Sequence, residues 1–166
     1  KNIIENISDP LMHIIRNSVD HGIETKEDRI AAGKDPKGEI KLTAKNEGGK
    51  VLIIVEDDGQ GLNKEKILAK ARKNGLINKD IEYSDKEIFQ FITLPGFSTK
   101  EKVTELSGRG VGMGVVVKNI SNVGGTLEID SEQGKGSTMT LKIPLTLAII
   151  TGIVLKIGSS TFVVET

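Results

Sequence analysis

The sequence predicts an α+β two-layer sandwich, a mixed sheet covered on one face by helices. Two observations carry this. Helix-like and strand-like segments are intermixed along 166 residues, a length suited to one domain with a small appendage. Two pairs of strand-like segments are each closed by a short glycine-containing turn, at 47–50 and at 132–136, as in β-hairpins.

The elements follow in order. Asp9 can cap a helix and Pro10 is tolerated at its first position, so a helix is predicted over 10–21, stopping at Gly22. Thr25 opens a shorter helix over 26–32, closed near Gly33. Residues 40–44 alternate as a strand, 47–50 turn, and 51–56 return as a mostly buried strand. Asn63 caps a helix to about Lys73 that ends at Asn74-Gly75, and Ser84 with Glu87 forms a capping box for a helix through Phe91. Residues 94–110, rich in Gly, Ser and Thr and without periodicity, read as a mobile loop. A helix over 111–123 stops at Gly124-Gly125, and strands over 126–130 and 138–143 form the second hairpin. Pro144 marks a boundary. Beyond it, 145–157 and 161–164 read as a further hairpin, too short to form a domain and expected to be the opening of one that is cut off.

Composition narrows the function classes. Lys plus Arg number 23 and Asp plus Glu number 23, and this zero formal charge argues against nucleic-acid or anionic-membrane surfaces, which carry a basic excess. With no Trp, one Tyr and four Phe, the core must rest on Ile, Leu and Val. The absence of Cys removes disulfides, thiolate nucleophiles and Cys-ligated zinc together. No apolar run reaches membrane-spanning length and no basic-then-apolar signal opens the chain, so a soluble intracellular domain is expected.

Three segments can carry chemistry. On the first helix, His13, Asn17, Asp20 and His21 share an arc of roughly 100°, opposite Leu11, Ile14, Ile15 and Ser18. An exposed polar face explains this equally well. Yet His13 and Asn17 at i, i+4 could meet one ligand, and an amide oxygen suits Mg²⁺. The two histidines could also bind zinc, but no third ligand is evident. Next, Asp57-Asp58-Gly59-Gln60-Gly61 leaves a buried strand; the carboxylate can accept a ligand hydrogen bond while the glycines let backbone come close, although a plain Asp-Gly turn reads the same way. Lys66 and Lys70, one turn apart just beyond, add charge that phosphates could use, as surface lysines anywhere could. Last, Gly108, Gly110, Gly112 and Gly114 alternate into a helix, a pattern that lets backbone amides wrap an anion or that merely makes a flexible loop. The spacing is neither that of a Rossmann fingerprint nor that of a Walker A loop.

The order of these segments is more specific than any one of them. His-x-x-x-Asn on a helix, then Asp-x-Gly-x-Gly, Gly-x-Gly-x-Gly and Gly-x-Gly-Ser resembles the Bergerat ATP-binding fold, with the N, G1, G2 and G3 boxes of histidine kinases. His13 to Glu24, the F-box-like stretch 94–102, Ser107 to Met113 and the run 144–150 together resemble one family over nearly the whole chain, the bacterial chemotaxis histidine kinases called CheA.

The resemblance implies a protein-histidine kinase that uses ATP and Mg²⁺. Asn17 would coordinate the Mg²⁺ bridging the phosphates, and His13 would stand where the superfamily places its general base. Asp20 and His21 would lie near the nucleotide. Asp57 would accept the adenine amino group beside Gly59 and Gly61. Gly108, Gly110 and Gly112 would fold the lid over the phosphates, Met113, Lys66 and Lys70 would count among the nucleotide-binding residues, and Ser137 would support the Asp57 site. The acceptor histidine would lie on a separate phosphotransfer domain, with response regulators downstream. Residues 1–143 would form the catalytic domain, lacking the family's upstream part and so leaving a sheet edge uncovered. Residues 144–166 would begin a CheW-like regulatory domain that binds a CheW-type adaptor and chemoreceptors. A full-length dimer, cytoplasmic in receptor arrays at the inner membrane, without nucleic acid or membrane insertion, is implied. Gly114 departs from the Asp usual there. The rival readings are a Bergerat-fold ATPase, which would place Glu at position 13, and a non-catalytic nucleotide-binding module.

Overall fold

The computed structural model describes residues 2–97, 112–145, 152–157 and 160–165, with side-chain surroundings for 7–97 and 112–145. Helix α1 (Asn2–Asn17) runs into a π-helical turn (Ser18–Gly22) and then α2 (Lys26–Ala31). Strands β1 (Ile40–Glu47) and β2 (Lys50–Asp57) form the first hairpin. Helices α3 (Lys64–Lys73) and α4 (Asp85–Gln90) follow, the latter continued by a 3₁₀ turn (Phe91–Thr93). Helix α5 (Met113–Asn122) precedes the hairpin of β3 (Thr126–Glu132) and β4 (Gly136–Pro144).

The four strands are ordered β1-β2-β4-β3. The α+β class holds, but the sheet is not mixed: every pairing among the described strands is antiparallel. Two tight hairpins and one antiparallel long connection require this, because a parallel pair needs a crossover that returns in the same direction. In register, Ile129, Met139 and Val55 share a row with Leu42, and Leu127, Leu141 and Ile53 share the next. That face, with Ile14 of α1, Ile67 and Ala71 of α3, Ile88 and Phe89 of α4, and Val116 and Ile120 of α5, makes one core. The aliphatic composition expected of the core is what is observed, and Tyr83 adds an edge-on contact to the Phe91 ring at 4.9 Å. At the β1 edge, Leu42 lies on the core side and is still 52% exposed.

One boundary needs correcting. The first helix does not begin at Asp9 but at Asn2, with Pro10 in its interior. Proline costs a helix one hydrogen bond, but its φ is already helical. Here its ring is fully buried, and Ile7, Leu11, Ile14 and Ile15 around it pack on the core, which outweighs the missing bond. The caps behave as their chemistry dictates. Thr25 accepts from the Asp28 amide, Asn63 from that of Lys66, and Ser84 and Glu87 complete their box. Pro144 ends β4 opposite Lys50. Strands β5 (Gly152–Ile157) and β6 (Ser160–Glu165) form a separate two-stranded antiparallel sheet. The glycine-rich loop expected over 94–110 lies outside the described residues from 98 onward.

Leu141 is wholly buried at the sheet centre, whereas Leu42 is half exposed at its edge. Leu141→Ala is expected to cost about 3 kcal/mol in urea unfolding and Leu42→Ala under about 1 kcal/mol.

Candidate functional site

The site is assembled where the end of α1 meets the end of β2. In the π-helical turn the Ile23 amide donates to the Ser18 carbonyl at 2.7 Å, a five-residue step that widens the helix as it ends. Ser18, buried on the apolar side, turns its hydroxyl to Asp57 and donates to Oδ2 at 2.9 Å. The other carboxylate oxygen accepts from the Gly59 amide at 3.1 Å. Both oxygens of Asp57 are thus oriented by the protein.

Within the loop after Asp57, glycine is demanded at two places. A Cβ on Gly59 would run into the Gly22 carbonyl, and one on Gly61, whose φ is +70°, would run into the Glu132 carbonyl. Gly59 and Gly61 therefore let protein backbone approach protein backbone, as well as any ligand. Gln60 between them joins three motifs. Its amide donates to Gly22 O at 2.9 Å, its carbonyl accepts from the Gly134 amide at 2.7 Å, and its side chain donates to His21 O at 2.8 Å. Ser137 pairs in register with Asp57 on the neighbouring strand, buried, with its hydroxyl 3.1 Å from that of Ser131.

His13 and Asn17 are half-buried, while Asp20 and His21 are exposed. Burial and the nearby Arg16 charge hold the His13 imidazole below its ordinary value of 6.5, which favours its neutral form. The Asn17 amide nitrogen donates to Met113 Sδ at 3.3 Å, tying α1 to the first residue of α5. Its amide oxygen takes no protein donor among the described residues, which fits an oxygen ligand for a hard cation. Gly112 caps α5. Gly114 sits inside α5, where a Cβ would come within 3.3 Å of the Thr93 carbonyl, a tight place for any larger residue. Lys66 is exposed, and Lys70 lies over the Phe97 ring at 4.8 Å. Gly108 and Gly110 lie outside the described residues. No group of three or more His, Asp or Glu side chains is placed to hold a metal among the described residues. A groove of about 600 Å³ between α4 and the β3–β4 edge, lined by Tyr83, Gln90, Asp130 and Thr138, contains none of the sequence-predicted site residues.

Sequence reading missed the groups behind the loop. Arg29 of α2 is 1% exposed and pairs with Glu24 at 3.1 Å and with Asp58 at 2.6 Å. Lys34 pairs with Glu24 at 2.6 Å. Burial opposes ionisation of Glu24, but the Lys34 hydrogen bond and the Lys34 and Arg29 charges outweigh it and hold the carboxyl below its usual range. Asp58 is likewise desolvated, yet the Glu39 amide and the Arg29 guanidinium hold it low. A buried Arg in a six-residue helix gives no periodic signal, so only the demand for its acceptors could have revealed it.

The helix that carries His13 and Asn17 thus ends against the oriented strand-end Asp57, on an antiparallel α+β sheet covered by helices. The chain belongs to the family described as histidine kinase-, DNA gyrase B- and HSP90-like ATPases, whose model matches residues 6–147. It is 48% identical over 99% of its length to chemotaxis protein CheA of Rhizobium meliloti and 52% identical over 98% to that of Klebsiella aerogenes, of which it covers 22% and 25%. It is 53% identical over 90% of its length to the sensor histidine kinase CheAY of Helicobacter pylori, covering 19% of it. The chain thus spans about a quarter or less of the relatives it matches. Among solved structures, the catalytic domain of histidine kinase ThkA aligns over 86% of this chain and 68% of its own, with TM-score 0.50 and 22% identity, a likeness of fold.

Two outcomes are expected. Gly59→Ala should lower stability by about 3 kcal/mol in chemical denaturation, because the Gly22 backbone cannot retreat. The carboxyls of Glu24 and Asp58 are lowered in the fold, so their contribution is complete above the ordinary values of 4.5 and 3.8 and is lost as pH falls through the lowered ones. The thermal midpoint should therefore decline modestly as pH falls below 6.5, where the half-buried His13 resists protonation, and fall steeply below about pH 4, and Glu24→Gln should make that second fall shallower.

Proposed function

We propose that this chain is the ATP-binding catalytic domain of a chemotaxis histidine kinase, passing the γ-phosphate of ATP to a histidine on a separate phosphotransfer domain. The observation that carries it is the convergence of Asn17 and Met113, at the N-helix and the start of α5, on the same end of the fold as the Ser18-anchored Asp57. Asp57, with both oxygens fixed, would accept the adenine amino group. His13, kept neutral, would accept the proton that the acceptor imidazole releases as it takes the phosphoryl group. The Asn17 amide oxygen would hold Mg²⁺, which when bound neutralises phosphate charge. Transfer of this kind depends mainly on positioning and charge stabilisation, and neutral amide and imidazole groups provide the former without repelling the phosphates.

On the same reading, Gly108, Gly110, Gly112 and Met113 belong to the lid, Lys66 and Lys70 lie along its approach, and Ser137 backs Asp57. The β5–β6 hairpin would open a CheW-like regulatory domain that reaches an adaptor and chemoreceptors, and response regulators would receive the phosphoryl group downstream. The 43–52% identity to CheA proteins supports this assignment.

The test is Mg²⁺-dependent transfer of label from γ-labelled ATP to an added phosphotransfer domain. Asn17→Ala should lower the rate by about 100-fold or more, and His13→Gln by a similar factor while ATP affinity persists. Because the His13 value is lowered, the rate should stay level with falling pH until below 6.5. ATP binding without any transfer would reduce the chain to a binding module, and rapid phosphate release to water would make it an ATPase.

A further inference from the structure

We propose that Arg29, Lys34 and Glu24 are positioning residues for the nucleotide base, a clamp that sets the shape of the 57–61 loop. The inference deepens the proposed function and rests on Asp57 reading the base. The guanidinium of Arg29 uses all five of its N–H donors: on the carbonyls of Asp35 (2.7 Å), Lys37 (3.4 Å) and Asp58 (3.2 Å), and on the carboxylates of Glu24 (3.1 Å) and Asp58 (2.6 Å). The Lys34 ammonium uses its three donors on Glu24 (2.6 Å), Asp58 O (2.9 Å) and Gly59 O (2.6 Å). Glu24 bridges the two cations, and the remaining Asp58 oxygen accepts from the Glu39 amide at 2.8 Å.

The target of these donors is specific. Four of the eight end on Asp58 and Gly59, the two residues after Asp57. The Gly59 amide in turn orients Asp57 Oδ1, and the Gln60 amide docks the loop on Gly22. A displaced Gly59 peptide therefore removes the donor that aims the carboxylate. A buried ion pair serving only stability can be replaced by apolar side chains of the same volume. A set that saturates eight donors, half of them on one loop, does more than neutralise charge.

The experiment uses the whole protein with Lys34→Met, which keeps the aliphatic stem, and Arg29→Lys, which keeps the charge but not the fork. Lys142→Met, at the end of β4 away from Asp57, is the control. Three quantities are measured: amide hydrogen exchange at Gly59 and Gln60 without nucleotide, the Kd for ATP, and the Kd for Mg²⁺-tripolyphosphate, which lacks a base. In Lys34→Met, exchange at both amides should quicken and the Kd for ATP rise by about 10-fold, with tripolyphosphate binding unchanged. Unchanged exchange, or equal losses for ATP and tripolyphosphate, would overturn the clamp. Should Arg29→Lys not fold, Lys34→Met decides alone. If the unsubstituted protein binds tripolyphosphate and not ATP, the reading of Asp57 fails, while the exchange data still judge the clamp.

Discussion

The close approach of two backbone segments, Gly22 at the end of the first helix and the loop leaving β2, is the constraint on which the site depends. Gly59 lies so near the Gly22 carbonyl that it could carry no Cβ, and a Cβ on Gly22 would press on the Asp57 carboxylate at 3.3 Å. The Gln60 amide seals this contact, and its carbonyl passes the connection on to Gly134 in the β3–β4 turn. Helix, strand end and hairpin turn, separated by tens of residues in sequence, are thereby held by main-chain bonds whose lengths tolerate little change. The π-helical turn belongs to the same constraint: the extra residue per turn brings Ser18 to Asp57 and Gly22 to Gly59 together, which two rigid elements of ideal geometry would not do at once.

Beneath this polar layer lies one apolar core. Ile14, one turn before Ser18, is inaccessible, and Val55, two residues before Asp57, nearly so. The helix and strand that carry the site are therefore anchored in the core within one turn or one pleat of the functional groups. Elements held this way by close packing do not shift independently. Polar groups at such a boundary are costly unless paired, and Ser18, Asp57, Ser131 and Ser137 pair with one another or with backbone.

Much of the fold could be read from the sequence because local chemistry agreed with the final structure. Thr25, Asn63 and Ser84 cap the helices they were expected to cap, and Gly48-Gly49 turns the first hairpin. The expected site residues His13, Asn17 and Asp57 lie at the junction described above, and Ser137 lies beside Asp57. What the sequence did not reveal was set by tertiary contact. Pro10 reads as a helix start because its missing donor is a local cost, whereas the packing that overrides it is not local. Ser18 stood on the expected apolar side, but nothing local named its partner 39 residues away. Arg29 resembles any surface arginine until α2 folds against the 57–61 loop. The sheet was expected to be mixed, and antiparallel pairing is decided by how connections return rather than by any one strand.

The placement of charge explains how a chain of zero net charge can serve a polyanionic ligand. The cations that the structure places nearest the loop, Arg29 and Lys34, are turned inward onto Glu24, Asp58 and backbone carbonyls. Lys70 lies over an aromatic ring. These groups hold shape: among the described residues, Arg29 and Lys34 are committed to protein acceptors and are not free to meet a triphosphate. On the proposed reading, charge neutralisation then falls to a bound cation and to backbone amides at the start of α5. Both act only when the nucleotide is in place, whereas a permanently cationic pocket would bind any polyphosphate. A neutral His13 fits the same economy, since a charged imidazole would bind phosphate and could not take a proton. Selectivity for a nucleotide over its triphosphate portion must then come from the base, and so from the geometry of the one loop to which the buried cations are committed.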